Sequence, residues 1–313
     1  MKTQALLLLA GIAGIAPLHA QSLIYEFRFN DAANGTSTNS TAPGGATANF
    51  TNYVSVGSTD RVAQDLHGAA GSGVSGQPGD LAFDNSASNR MGGNSGTPGY
   101  GGIALVANGG GILNGMSSFT VQGWYNGAST PGNYARLLDV NATGASSLGV
   151  WFQVDGGVTK LQLTTRINDT QQIFYSTDAS MLQANTWTFF AFTYDGTTGN
   201  VSLYGGSATD SVSLIASGEL LAGTLSTATN QSLAIGNSVS NENLRPFDGL
   251  LDNFRIWGEL AGAGGALTKA QLEAVRLADL GYSQIPEPSA FALLAAFGAL
   301  GMAATRRGGA RRR

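Results

Sequence analysis

Trp187-Thr-Phe-Phe-Ala-Phe-Thr-Tyr-Asp-Gly196, followed by Asn200-Val-Ser-Leu-Tyr-Gly-Gly206, decides the fold class. The first run is aromatic and apolar on both parities, as in a central strand with both faces covered. Asp195-Gly196 reverses the chain, and Asn200–Tyr204 returns to form a hairpin closed by Gly205-Gly206. Period-2 segments continue outward from it. Leu161, Leu163, Thr165 and Ile167 alternate with Gln162, Thr164 and Arg166, a strand with one wet face. Phe119–Tyr125, Gly149–Val154, Ser211–Ser217, Ser232–Gly236 and Phe247–Trp257 read likewise, as do Leu23–Phe29, Asp80–Phe83 and Ile103–Ala107. Together they make about a dozen strands.

Composition agrees. Glycine supplies 45 of 313 residues, and charged residues only 12% where ~25% is usual. That excludes a helical bundle and favours strands joined by tight turns. One helix is expected, with Leu272, Val275, Leu277 and Leu280 near helical spacing, Thr268 as N-cap and Gly281 as stop. Asn34–Thr47, Gly68–Pro78 and Asn89–Gly102 read as polar, loosely ordered loops. The sum is an all-β, two-sheet antiparallel jelly-roll sandwich over residues 21–282, with one short C-terminal helix.

The chain has no cysteine, which removes disulfides, thiolate catalysis and Cys-ligated metals together. Its two histidines are His19 and His67, too few for a multi-His metal site. His67 reads as a loop residue. Between Gln21 and Ile285 lie 19 acidic and 10 basic residues, a balance of −9. A body this acidic has no footprint for nucleic acid. It suits neutral glycans, cations or simple solubility.

The ends read as addresses. Met1–Ala20 has a basic start, an apolar run from Ala5 to Ile15, Pro17 and a small final residue, the layout of a secretory signal peptide. At the other end, within 283–313, Pro286-Glu287-Pro288 precedes the apolar Ala290–Ala304 and five arginines from Arg306 to Arg313. This is a separate apolar tail helix, short for a bilayer but able to span it with snorkelling arginines on the cytoplasmic side. The tripartite tail resembles the PEP-CTERM sorting signal of certain Gram-negative bacteria. That resemblance implies processing by an exosortase-type membrane protease and delivery toward the cell surface or extracellular polysaccharide matrix. The alternative is a permanent membrane anchor through the C-terminal span.

A second resemblance covers roughly residues 22–280. Tyr25-Glu-Phe-Arg-Phe-Asn-Asp31, Leu81-Ala-Phe-Asp84, Ser118-Phe-Thr-Val-Gln-Gly-Trp124, the Trp187–Gly196 hairpin and Leu233-Ala-Ile-Gly236 occur in order. Phe247-Asp-Gly-Leu-Leu-Asp-Asn-Phe-Arg-Ile-Trp257 and Ala266-Leu-Thr-Lys-Ala-Gln-Leu272 close the series. Their order and spacing are similar to the bacterial laminin-G-like (LamG, concanavalin A-like) jelly roll. The resemblance implies two curved sheets, glycan or protein binding on a concave face or rim, and, in many members, a structural calcium ion.

Candidate sites follow from parity. Asp252 shares parity with Leu250, Phe254 and Ile256 and is expected on their face. A carboxylate there must be paired or metal-bound. Either an arginine such as Arg255 neutralises it, or it ligates Ca2+ with Asp31 and Asp248. Trp124, Trp151, Trp187 and Trp257, with Tyr125 and Tyr194, are core residues or a sugar-stacking platform. Trp151 is the exception most suited to ligand, because Phe152 can take the core role and Gln153 and Asp155 can supply hydrogen bonds. The Glu-x-Asp-x-x-Glu strand of retaining glycosidases on this superfold is missing, and no two glutamates of the body are closer than 14 positions. The expected function is a non-enzymatic module binding carbohydrate or a surface protein. A structural surface protein without ligand and a polysaccharide hydrolase or lyase are the alternatives.

Overall fold

In the computed structural model, which describes residues 22–53, 60–87, 101–141, 146–239 and 245–282, sixteen strands and one α-helix follow in chain order. The first six strands are β1 (Ser22–Phe27), β2 (Ser37–Asn39), β3 (Thr47–Tyr53), β4 (Arg61–Ala63), β5 (Phe83–Asp84) and β6 (Gly102–Val106). Next come β7 (Ser118–Gly127), β8 (Arg136–Asn141), β9 (Leu148–Asp155), β10 (Val158–Ile167) and β11 (Thr170–Ser176). Then β12 (Thr188–Asp195), β13 (Asn200–Ser207), β14 (Ser213–Glu219), β15 (Ser232–Ile235) and β16 (Gly249–Glu259) precede α1 (Lys269–Asp279). The signal-peptide and Pro-Glu-Pro tail segments lie outside the described residues, as does most of the Asn89–Gly102 loop.

Every strand pairing is antiparallel. One sheet of seven strands runs β1-β16-β7-β12-β13-β14, with β5 also on β16. The other, of nine, runs β11-β10-β9-β8-β15-β6-β3-β2, with β4 on β3. Their inner faces share one apolar core, in which Phe27, Phe50, Phe119, Val150, Phe152 and Phe192 are fully or almost fully buried. The fold is the expected all-β jelly-roll sandwich.

The Trp187–Gly206 reading is the β12–β13 hairpin, in register from Thr188↔Ser207 to Asp195↔Asn200. Strand β12 is apolar on both parities because both of its faces are covered. Phe190, Phe192 and Tyr194 enter the main core, whereas Phe189 and Ala191 join Trp124, Val212, Leu267 and Leu272 in a second cluster. Leu272 belongs to α1, which opens with a capping box between Thr268 and Gln271. Its apolar stripe is narrower than expected. Arg276 and Asp279 are buried beside Leu272 because ion pairs and hydrogen bonds satisfy both charges.

Two β-bulges decide which side chains leave the core. In β16, Asp252 and Arg255 face Trp124 and Gln122, so three steps on one strand match two on the other. Asn253, at φ 49°, absorbs the extra residue. Leu251, Phe254 and Ile256 therefore point into the core, while Asp252 and Arg255 point outward. This corrects the parity reading of Asp252, which does not share the face of Phe254 and Ile256. In β8, Arg136 faces Trp151 and Leu138 faces Val150, leaving Leu137 as the extra residue. Leu137 and Leu138 both enter the core, and Arg136 is turned outward.

Replacing Asn253 by a β-branched residue forces a side chain poorly suited to positive φ into the β16 bulge. Asn253→Val is expected to cost about 1–2 kcal/mol more than Asn253→Gly. Urea unfolding of the two variants measures that difference, and equal stabilities would show that the bulge does not depend on this backbone conformation.

Candidate functional site

Alternation along β9 sends Leu148, Val150 and Phe152 into the core and Gly149, Trp151, Gln153 and Asp155 to the outer face of the nine-stranded sheet. The three residues singled out as ligand-binding, Trp151, Gln153 and Asp155, thus lie on one strand face. Neighbouring strands complete the surface. Arg136 of β8 is opposite Trp151, Gln162 of β10 is opposite Trp151 on the other side, and Tyr175 of β11 is opposite Gln162. Lys160 is opposite Gln153.

Trp151 lies flat on this surface. Gly149 makes room for it, since a Cβ at Gly149 would come within 2.4 Å of the indole ring. The Arg136 guanidinium sits 3.6 Å from the ring centroid. At such a distance a desolvated cation–π contact contributes on the order of 2 kcal/mol. Trp151 is 6% exposed and Arg136 only 3%, so the pair is a buried centre and not an open stacking platform. Around it, Lys160 Nζ stands 4.3 Å from the Tyr175 ring and Arg245 Cζ 4.6 Å from the Tyr134 ring. Asp155, at the exposed rim, accepts from Lys160 at 3.0 Å.

The polar groups of the centre are incompletely paired. Arg136 Nε and Nη1, and Trp151 Nε1, are buried without a hydrogen-bond acceptor. Each such group costs about 1–3 kcal/mol, more when charged. The nearby Asp139 carboxylate already accepts from Ser146 at 2.5 Å and from Ser238 at 2.8 Å. Burial, above all, pushes the Arg136 pKa down to about 10, with the attraction of Asp139 opposing and the like charge of Arg245 adding to the shift. Among the described residues, Arg136 is the only arginine or lysine with buried N–H groups lacking an acceptor.

On the outer face of the seven-stranded sheet the buried guanidinium is paired, although Gln122 Nε2 and Oε1 and Trp257 Nε1 are buried there without partners. Arg255 donates to Glu26 at 2.6 Å and to both Asp279 oxygens at 2.7 and 3.0 Å, and Trp124 Nε1 donates to Asp279 at 2.9 Å. Asp252 is not paired with Arg255. Its oxygens accept from the backbone N–H groups of Val74 and Asn253, at 2.9 and 2.7 Å, and so dock the Gly68–Pro78 loop. Burial and the charge of Asp80 raise its pKa well above the usual carboxylate range.

The proposed calcium ligands are not brought together. Asp31 accepts from Asn39 N–H and the Asn34 amide and faces His67 Nε2 at 3.5 Å, while Asp248 accepts from Ala87 N–H. Among the described residues, no three His, Asp or Glu side chains are grouped to hold a metal ion. Each of the three aspartates instead accepts from the backbone of a different segment. His67 belongs to a loop, but its side chain is buried, held 2.8 Å from Asp65 and edge-on to Phe50.

The other aromatic candidates are structural. Tyr125 and Tyr194 lie in the main core, and Trp124, Trp187 and Trp257 pack in or against the cluster beneath α1. A cleft of about 420 Å³ between the Ala179–Leu182 turn and β13–β14 is lined by hydroxyls and Asp210 over Met181 and Ile215. None of those lining residues carries a buried polar atom without a partner. Arg136 escaped sequence reasoning because its strand, Arg-Leu-Leu-Asp-Val-Asn, breaks alternation at Leu137-Leu138. Lys160 could have been found, since it continues the wet parity of Gln162 and Thr164.

Residues 98–263 match the sequence model of a laminin G family described as the concanavalin A-like lectin/glucanases superfamily. The chain belongs to that superfamily. The match is narrower than the resemblance over residues 22–280, but it contains every strand from β6 to β16. No curated protein matches the chain. Among solved structures, it is similar to the binding domain of botulinum neurotoxin DC in complex with rat synaptotagmin II. That pair shares 13% identity over 82% of this chain and 52% of the other, with a TM-score of 0.49. It is also similar to the Ruminococcus gnavus IT-sialidase CBM40 bound to α2,3-sialyllactose, at 16% identity over 53% and 84% of the two chains and a TM-score of 0.40. The chain spans about half the length of the neurotoxin chain it matches.

The Glu26–Arg255–Asp279 network of this concanavalin A-like domain has a definite pH signature. Burial alone would raise Glu26, but the Arg255 charge and hydrogen bonds from Thr41, Arg255 and Arg28 outweigh it and hold the carboxyl at about 2. A depressed native pKa contributes stability that is present above the unfolded value, about 4.5, and is lost as pH falls toward 2. Glu26→Gln is therefore expected to lower Tm at pH 7 by several degrees, and this deficit is expected to shrink between pH 4.5 and 2. A deficit constant across that window would exclude Glu26 as an ionised partner of Arg255.

Proposed function

We propose that this chain is an exported, surface-directed binding module that holds a carbohydrate on the outer face of its nine-stranded sheet and performs no catalysis. The observation that carries the reading is the Trp151 indole lying over Gly149, its N–H unpartnered, among the side chains of Arg136, Gln153, Gln162, Lys160 and Tyr175. Beside this buried centre the exposed Tyr175 ring, flanked by amides and a cation, suits the apolar and hydroxyl-bearing sides of a sugar ring. Membership of a superfamily named for lectins and glucanases is consistent with a glycan ligand.

The non-enzymatic part of the proposal rests on the carboxylates of this surface. Asp155 is engaged with Lys160, and Asp139 with Ser146 and Ser238. Among the described residues, neither is arranged with a second free carboxyl as the close acid and nucleophile pair of a retaining glycosidase requires. Export rests on the terminal segments. The signal peptide would carry the body across the inner membrane, and the Pro-Glu-Pro tail would present it to an exosortase-type protease or hold it at the membrane.

A glycan array run with and without calcium tests the reading, with reducing-sugar release assayed in parallel. Retention of one glycan class is expected, together with at least a tenfold loss in Tyr175→Ala, a change at a side chain 48% exposed. Retention unaffected by that variant would move the site elsewhere. Absence of any retained sugar removes the carbohydrate reading, and release of reducing ends makes the protein an enzyme.

A further inference from the structure

The outer face of the nine-stranded sheet contains a charge that the fold does not complete. Arg136 is nine-tenths buried and more, and its Nε and Nη1 hydrogens have no acceptor. The contrast with Arg255 is instructive. That residue is equally buried, but two carboxylates and a backbone carbonyl receive its hydrogens. A guanidinium is a rigid fork of donors whose geometry matches a planar carboxylate. An anionic oxygen is the acceptor this fork suits best.

The surroundings indicate what carries that oxygen. Three cations of this face, Arg136, Lys160 and Arg245, each lie over an aromatic ring, in a body whose overall balance is −9. Lys160 stands at the rim, shared with the exposed Asp155. Gln153 and Gln162 add amide donors and acceptors suited to hydroxyls. Rings, amides and an uncompensated guanidinium together fit a sugar that bears a carboxylate, better than a neutral sugar or a flexible acidic peptide.

We infer that this surface binds an acidic polysaccharide of the uronic-acid type, with Arg136 receiving the sugar carboxylate beside Trp151 and Lys160 meeting the next charge along the chain. The inference rests on the carbohydrate reading above and specifies its ligand class. Asp155 limits access to Lys160 and acts as a local brake on binding.

Galacturonate oligomers, their carboxyl-reduced neutral counterparts and poly-glutamate, titrated into the full-length protein while tryptophan fluorescence is followed, test the inference. The uronate is expected to bind at least tenfold more tightly than the neutral oligomer, and to weaken between 20 and 200 mM salt. Arg136→Gln is expected to abolish that preference. Two rim variants, at the half-buried Lys160 and the exposed Asp155, keep the test independent of Arg136: Lys160→Ala weakens uronate binding severalfold and Asp155→Ala strengthens it. Equal binding of acidic and neutral oligomers overturns the inference but leaves the carbohydrate reading intact. Poly-glutamate binding as tight as uronate overturns it in favour of a general polyanion surface, and no binding of any oligomer overturns both readings.

Discussion

Arg255 and Arg136 stand on the outer faces of the two sheets, each turned there by a β-bulge and each almost wholly removed from water. Burying a guanidinium is tolerable only when acceptors replace its hydration. Around Arg255 that condition is met. Glu26 reaches it from β1 and Asp279 from α1, and the same Asp279 receives the Trp124 indole N–H. One cation thus joins an edge strand, a central strand and the only α-helix among the described residues. Removing one partner of such a network leaves a buried charge alone and costs about 3–5 kcal/mol, so this face is a structural clamp. Around Arg136 the condition is not met, and the proposed binding surface rests on that difference between the two guanidinium groups.

The bulges also explain how far the sequence could be read. Alternation with aromatic and β-branched residues placed the β12–β13 hairpin, β7, β9 and β10 within a few positions of where they lie. The Thr268 cap and the Gly281 stop bounded α1 correctly. Parity failed where an extra residue enters one strand, because the period of two then changes face at an unmarked position. Asp252 was assigned to the wrong face for that reason, and β8 was not recognised at all. Strand β3, Thr-Ala-Asn-Phe-Thr-Asn-Tyr, was hidden differently. Its buried parity is Ala48, Phe50 and Asn52, and only the phenylalanine carries an apolar signal.

The candidate surface was partly legible. Trp151 could be separated from the core aromatics because Phe152 occupies the opposite parity, and Gln153 and Asp155 follow on the same face. What could not be read is the lateral register that sets Arg136 against Trp151, since no local pattern says which strands neighbour β9. The grouping of the three aspartates was unreadable on the same ground. Asp31 and Asp248 stand in loops and Asp252 at the β16 bulge, and the topology gives each a different backbone segment to hold.

If the uncompleted guanidinium is the binding centre, its own N–H group reports the ligand. The Nε–Hε proton of Arg136, followed by nitrogen-15 NMR during a titration with galacturonate oligomers and assigned through Arg136→Lys, is the most direct probe. Its signal is expected to shift progressively to saturation while that of Arg255, already bonded to Glu26, stays in place. An Arg136 signal that remains fixed while the oligomer binds would contradict the assignment of this surface as the site.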